Sequence, residues 1–269
     1  MNTLTTIAEL RRALAPLRGH ASIALVPTMG AFHAGHVALF GAARRECDAV
    51  VVSLFVNASQ FDDPADLAAY PRDAARDAAL AVEAGVDVLF APAVEELYPS
   101  GFATWVDVDG AARGLEGEHR PGHFRGVATV CLKLFTIVAP DAAFFGQKDA
   151  QQIAVVSQVV RDLNVAVALR VVPTVRDADG LPLSSRNVRL SAEERRRASA
   201  IPRALEAGLA AHRAGTDPVA AAYAALQGVE TDYVAVADFD GRPTLAIAAR
   251  IGATRLIDNA PLASPLAEE

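Results

Sequence analysis

The chain has 269 residues, 52% of them hydrophobic and 21% charged, a balance that buries a core and excludes a disordered polymer. Its formal charge of −7 excludes a surface that coats nucleic acid, so an anionic ligand must be met by a local cationic pocket. No apolar run reaches the ~18 residues of a membrane span, and the length fits one large domain or two modest ones.

The N-terminus, MNTLTTIAELRRALAPLRGH, lacks the basic-then-apolar order of a secretory signal and reads as an amphipathic helix, so a cytoplasmic protein is expected. ASIALVP (21–27) and AVVVSLFVN (49–57) read as strands, with a helix through Val37 to Cys47 between them. Pro71 suits a helix start, and RDAARDAALAVEAG carries that helix to a stop at Gly85. VDVLFAP, AAFF (142–145) and VAVALRVV (165–172) are further short buried strands, with a helix DAQQIAVVSQVVRDLN between the last two. Continuous apolar strands separated by helices predict a parallel sheet covered on both faces, an α/β fold.

The texture changes after Val172. PTVRDADGLPLSSRN is rich in turn residues, with Asp179-Gly180 as a hairpin turn. Helical stretches follow at 191–213 and about 217–227, then DYVAVADF and TLAIAARI as strands. A boundary near residue 174 therefore divides a domain of 1–174 from a smaller α+β domain of 175–269. Cys47 and Cys131 show no metal or CxxC spacing and read as buried free thiols.

Five stretches carry chemistry. In VPTMGAFHAGH (26–36) a strand ends just before a helix that starts near Gly35 to Val37, and His33 and His36 fall side by side at that helix's N-terminus. Gly30 and Gly35 let backbone approach a ligand, free N–H groups and the positive dipole end favour phosphate, and paired imidazoles can donate to its oxygens. The competing reading is a pair of core or capping histidines. FVNASQF (55–61) sets the amides Asn57 and Gln60 after the second strand, where open α/β sheets collect ligands; a capping Asn and a solvated Gln are the alternative. GLEGEHRPGHFRGVATV (114–130) reads as a mobile, Gly-rich, cationic loop with His119, Arg120, His123 and Arg125 leading into a buried helix, of a composition that closes over substrates or simply covers a surface. FFGQKDAQQ (144–152) places Lys148 at a strand-to-helix junction suited to phosphate, Asp149 as a cap or a carboxylate for a divalent cation, and Gln152 one turn on. In the second domain, LPLSSRN offers Ser184, Ser185 and Arg186 to a triphosphate. A His pair in one domain and an Arg/Ser loop in the other would clamp a nucleotide.

The HxGH element resembles that of the nucleotidyltransferase and adenylate-forming superfamily. VPTMGAFHAGH, FVNASQF, DLAAYPRD, GLEGEHRPGHFRGV, FFGQKDAQQ, PTVRDADGLPLSSRN and AARIGATRLIDN, in that order, resemble the pantothenate synthetase (pantoate–β-alanine ligase) family over about residues 4–260. The resemblance implies a Rossmann-like N-terminal domain for nucleotide and pantoate and a C-terminal lid. It implies a two-step reaction in which ATP activates (R)-pantoate as pantoyl adenylate and β-alanine then displaces AMP. It places ATP on Met29, Gly30, Ala31, Phe32, His33, Ala34, Gly35 and His36, on Gly146, Gln147, Lys148 and Asp149, on Val175, and on Leu183, Ser184, Ser185 and Arg186. His36 is the implied proton donor, with His33, Lys148 and Arg186 as its catalytic companions. Gln60 and Gln152, with Asn57 and Met29, are the implied pantoate and β-alanine residues. Mg²⁺, the cytoplasm and a homodimer are implied too; nucleic-acid and membrane partners are not. The chain departs from the common family pattern at Phe32 (Leu), Ala34 (acidic) and Gln147 (Glu), and FVNASQF lacks a usual Pro-Thr pair. Two rival functions remain on the residues alone. A nucleotidyltransferase of the same superfamily acting on a phosphorylated acceptor would not need Gln60 and Gln152. A silent nucleotide-binding regulator would have lost His36, Lys148 or Arg186.

Overall fold

The computed structural model describes residues 1–262, which divide into two compact units: residues 1–146 with 151–172, and residues 147–150 with Pro173 onward. The first unit runs β1 (Asn2–Leu4), α1 (Ile7–Leu14), β2 (Ile23–Thr28), α2 (Ala34–Glu46), β3 (Ala49–Leu54), α3 (Pro64–Ala68), α4 (Ala74–Glu83), β4 (Val88–Phe90), α5 (Val94–Leu97), α6 (Glu116–His119), α7 (His123–Val138), β5 (Ala142–Gly146), α8 (Ala150–Asp162) and β6 (Ala168–Val172). Its six strands form one sheet in the order β1-β4-β3-β2-β5-β6, every pair parallel.

Alternate residues of the central strands bury on opposite faces. Ile23, Leu25, Val51, Ala143 and Phe145 pack with Leu10, Leu14, Val127, Leu134 and Val156 from α1, α7 and α8. Ala24, Val26, Val50, Val52 and Phe144 pack with Phe40, Ala43 and Ala81 from α2 and α4. A strand buried on both faces has no polar side to show, which is why these strands read as unbroken apolar runs. Pro27 sits in the central strand β2, yet it costs no rung against β5, because that ladder pairs only Ala24 and Leu25.

The boundaries shift where side chains cap. α2 starts at Ala34, one residue before the expected Gly35 to Val37, because His33 is its N-cap. α4 starts at Ala74, three residues past Pro71, because the Asp73 carboxylate accepts from the Arg76 N–H at 3.0 Å. The run 49–57 ends as a strand at Leu54, since Asn57 to Gln60 turns back as a single 3₁₀ turn. The three-residue β1, paired with β4, is too short to leave a periodic signal.

The second unit holds an antiparallel sheet of β7 (Glu230–Asp238), β8 (Pro243–Ile251) and β9 (Thr254–Pro261), in that order, with helices α9 (Ala192–Ala198), α10 (Ala200–Arg213) and α11 (Pro218–Ala225). The helical stretch 191–213 is two helices broken at Ser199, and β9 is a strand that the sequence pattern does not reveal. Ile201 and Leu205 from α10 bury with Leu245, Ile247 and Ile251 from β8 and with Leu181. Asp179-Gly180 does turn the chain: Gly180 has φ +83°, the Asp177 N–H donates to the Leu181 carbonyl at 2.8 Å, and Arg176 bridges Pro182. Both cysteines are free and buried.

Candidate active site

Strands β3 and β4 lie on one side of β2 while β5 and β6 lie on the other, so the strand order reverses between β2 and β5. Ligands of open α/β sheets collect beyond the carboxyl ends of the strands at such a point. The segments that leave those ends are Met29–His36 from β2, Phe55–Gln60 from β3 and Gly146 from β5. Three of the sequence-predicted segments therefore emerge from adjacent strands at one sheet edge.

The histidine pair closes on itself as a capping box. His33 Nδ1 accepts the Gly35 N–H at 3.1 Å, and His36 Nδ1 accepts the His33 N–H at 3.3 Å. An Nδ1 that accepts carries no proton, so both rings are Nε2–H tautomers. Their centroids lie 4.2 Å apart, and Phe32 stacks obliquely on His36 at 5.3 Å while meeting Phe40 edge-on at 5.1 Å. The capping reading and the phosphate reading are thus compatible, since the capping bonds use Nδ1 and not the Nε2–H donor. The turn before them is strained: Gly30 has φ +85° and Ala31 φ +53°. A Cβ on Gly30 would fall 2.6 Å from Leu54 Cδ1 and 2.8 Å from Asp77 Oδ2, so only glycine fits.

The second amide cluster is equally specific. Asn57, 1% exposed, donates from Nδ2 to the Gly126 carbonyl at 3.1 Å and to Gln60 Oε1 at 3.0 Å, and its Oδ1 accepts the Ser59 hydroxyl at 2.8 Å. A carbonyl can only accept, so the atom facing Gly126 is the amide nitrogen, and Gln60 must present its oxygen to that same nitrogen. Gln60 Nε2–H₂ is left over as the free donor among the described residues. The main chain of Gln60 is held from the other side: His123 Nδ1 lies 2.8 Å from its carbonyl and Arg120 donates to the same oxygen at 3.4 Å. Arg120 also reaches His123 Nε2 at 3.1 Å, and because a guanidinium only donates, that nitrogen accepts and Nδ1 carries the proton. His123 and Arg120 thus serve the Gln60 loop; residues 116–119 form a short helix within the expected loop, and the buried helix expected to follow it starts at His123.

On α8 the neighbouring glutamines differ. Gln151, 5% exposed, donates to the carbonyls of Ala111, Arg113 and Gly114 and accepts the Glu116 N–H at 3.0 Å, fastening the 111–116 segment. Gln152 is half-buried, and among the described residues its amide makes no hydrogen bond. Sequence reasoning misses Gln151; its only signal is a glutamine on the buried stripe of a helix.

In the second unit, Lys148 Nζ lies 3.3 Å from Asp149 Oδ1. Asn259 on β9 donates to the carbonyls of Lys148 at 2.7 Å and Gln147 at 3.1 Å, and its Oδ1 accepts Gln147 Nε2 at 3.1 Å. The next residue back, Asp258, is fully buried and bound by both Arg176 nitrogens at 2.6 and 3.0 Å. Burial pushes its carboxyl above the usual carboxylate range, and Arg176 pulls the other way. The Leu183 N–H donates to the Val175 carbonyl at 2.9 Å, bringing those two predicted positions together. Ser184 caps the following 3₁₀ turn by accepting the Arg186 N–H at 3.2 Å; Ser185 and Arg186 are half-buried in that turn. Among the described residues, the one buried side-chain polar atom without a partner is Thr174 Oγ1, next to Val175. An orphaned buried hydroxyl marks a place where a ligand group or water belongs.

A family model described as pantoate-beta-alanine ligase matches residues 2–261. The chain is 50% identical to the pantothenate synthetase of Moorella thermoacetica over 97% of this chain and 99% of that one. It is 50% identical to the pantothenate synthetase of Cereibacter sphaeroides strain ATCC 17029, over 96% and 99%. Among solved structures, pantothenate synthetase from Thermus thermophilus superposes with a TM-score of 0.92 at 46% identity, covering 97% of this chain and 99% of that one. The pantoate-beta-alanine ligase of Francisella tularensis, complexed with beta-gamma ATP and beta-alanine, gives 0.85 at 34% identity over 97% and 98%.

Proposed function

Because the chain belongs to the pantoate–β-alanine ligase family, we infer that it condenses (R)-pantoate with β-alanine at the expense of ATP, forming a carbon–nitrogen bond. The pantoate carboxylate attacks the α-phosphorus of ATP and pyrophosphate leaves. The amine of β-alanine then attacks the acyl carbon of the pantoyl adenylate, AMP leaves, and the amine proton is lost. Activation is needed because a carboxylate has no leaving group of its own, whereas AMP departs readily.

The observation that carries the residue assignments is the sheet edge at β2 and β3, where two Nε2–H imidazoles and one free glutamine amide follow adjacent strands. His33 and His36 face developing charge on phosphate oxygens with His36 as proton donor, and catalysis is positioning plus charge stabilisation. Met29 to His36 and Gly146 are the ATP contacts of the first unit. Gln60 Nε2 and the unpartnered Gln152 amide read the oxygens of pantoate, Met29 is assigned to the same substrates, and Asn57 acts by fixing which face of the Gln60 amide is offered. Of the second unit's residues, the family resemblance assigns Gln147, Lys148, Asp149 and Val175 to ATP, with the orphaned Thr174 hydroxyl beside Val175, and Leu183 to Arg186 to its phosphates.

Mg²⁺ fits this donor set only as a cation carried by the phosphates. Among the described residues no group of three His, Cys, Asp or Glu side chains could hold it, and Mg²⁺ normally takes one or two carboxylates besides phosphate and water. Asp149 is the carboxylate we assign to it; the ion when bound neutralises phosphate charge. A homodimer in the cytoplasm completes the reading, and among the described residues no helix is long and apolar enough to cross a membrane. The reaction class is tested by isotope exchange: pantoate alone, without β-alanine, should drive exchange of labelled pyrophosphate into ATP, and full turnover should yield AMP. ADP and inorganic phosphate as stoichiometric products would overturn adenylation in favour of an acyl phosphate. Size-exclusion chromatography with light scattering checks the dimer.

A further inference from the structure

The nucleotide turn is held by a carboxylate that no substrate needs to touch. Asp77, on the first turn of α4, is 1% exposed, and among the described residues no cation pairs with it. Its two oxygens accept main-chain N–H groups instead: Oδ2 from Ala31 at 2.8 Å and Oδ1 from Phe32 at 2.7 Å. Burying a carboxylate is costly unless hydrogen bonds replace its water, and here both replacements come from one dipeptide, with the N-terminal end of α4 adding a favourable dipole. That dipeptide is the strained one. Ala31 has φ +53°, a region alanine seldom enters, and the turn persists only where surroundings over-determine it. Phe32, fully buried, carries the consequence onward, because its ring rests on His36 and on Phe40 of α2. Its neighbour His33 is the N-cap whose box includes His36.

We propose that Asp77 is a positioning residue for the His33–His36 pair, acting through the backbone of Ala31 and Phe32 by clamping the turn that joins β2 to α2. The proposal rests on the reading that this pair serves ATP. An aspartate, and not an asparagine, is required because both partners are donors. In Asp77→Asn one amide face accepts, while its NH₂ group meets an N–H head-on.

The test compares wild type, Asp77→Asn, His36→Asn and the double variant in pantoate-dependent pyrophosphate–ATP exchange, counted per folded molecule. Small displacements of catalytic groups cost up to about 10²-fold, so Asp77→Asn should slow exchange by about 10- to 100-fold. The double variant should be no slower than His36→Asn, because both changes disable the same group. A merely structural role would lower the melting temperature and leave turnover per folded molecule within twofold, and that result overturns the proposal. So do losses that multiply in the double variant. Two readouts on the wild-type and variant proteins do not depend on activity. Imidazole ¹⁵N spectra should show Nε2–H tautomers for His33 and His36 that are disturbed in Asp77→Asn, and the Ala31 and Phe32 amides should be strongly protected from hydrogen exchange in wild type. Unchanged imidazole spectra in folded Asp77→Asn sink the proposal, and open-loop exchange rates at the wild-type Ala31 and Phe32 amides sink it even where Asp77→Asn fails to fold. A wild type without any pantoate-dependent exchange would count against the functional reading, while the spectra still decide the clamp.

Discussion

Asn57 and Gln147 illustrate how one amide's identity fixes its neighbour's. Asn57 Nδ2 must donate to both the Gly126 carbonyl and Gln60 Oε1. Asn57→Asp would put a carboxylate oxygen against two acceptors in a buried place, where leaving polar groups unpaired costs ~1–3 kcal/mol. Gln60 would then rotate to offer its oxygen, not its nitrogen, to the acid. The expected result is a large rise in the apparent KM for pantoate with a much smaller change for ATP; steady-state kinetics with each substrate varied in turn measure it, and equal changes would contradict the role given to Gln60. Gln147 stands where the family commonly has Glu. Asn259 spends its NH₂ on the carbonyls of Gln147 and Lys148, so only its oxygen remains for residue 147, and that oxygen needs a donor. Gln147→Glu, a change toward the common pattern, should therefore destabilise this protein by about 1–3 kcal/mol. Denaturant unfolding of the two proteins side by side checks it; equal or greater stability of the variant would show that Asn259 does not constrain the position.

At the level of elements, close contacts decide where loops sit. A Cβ at Gly126 on α7 would lie 2.5 Å from the Ser59 carbonyl oxygen and 2.7 Å from the Gln60 nitrogen. Gly126→Ala gains roughly 1 kcal/mol of helix propensity, yet it must displace the 57–60 turn, and overpacking of this kind typically costs ~1–3 kcal/mol. The expected outcome is a net fall in thermal stability together with weaker pantoate use. In the second unit, β9 is joined to the 176–182 turn by Arg176 and the buried Asp258. Burial raises the Asp258 carboxyl in the folded chain, so its proton is held more tightly there than in the unfolded chain, and lowering the pH toward its ordinary 3.8 favours folding at this site. Arg176→Met removes the opposing cation and lifts the carboxyl further. The variant should lose on the order of 3 kcal/mol near pH 7, the low end for breaking a buried pair because Arg176 is partly exposed. The deficit should shrink as the pH falls and Asp258 takes up its proton. Unfolding curves at pH 7 and pH 5 distinguish this from a pH-independent packing loss.

At the level of the whole chain, the two thiols report the integrity of the first unit. Both are buried, and burial pushes the Cys131 thiol up to about 12. A thiol reacts as its thiolate, so native protein at pH 8 should show no rapid reaction with a disulfide reagent, whereas denatured protein should titrate two thiols. Fast native labelling of Cys131 would mean that α7 opens readily.

The apolar strands, the intervening helices, the change of texture after Val172 and the order of the seven motifs are legible in the chain itself. Two-sided burial writes itself as unbroken hydrophobic runs, and phosphate handling demands particular residue types beside glycines. His33, His36, Gln60, Lys148 and the Ser184–Arg186 turn are therefore proposed from type and spacing. Residues whose task is to hold these in place are not: Asp77 lies 46 positions from Ala31, Asn259 lies 111 from Lys148, and His123 lies 63 from Gln60. The short β1 and the strand β9 escape for the same reason, each defined by its partner and not by its own pattern. Local sequence determines what a segment prefers and what chemistry it carries. Which distant carboxylate, amide or carbonyl completes its hydrogen bonds is decided only when folding brings them within about 3 Å, because a buried polar group must find a partner and the chain does not record where that partner stands.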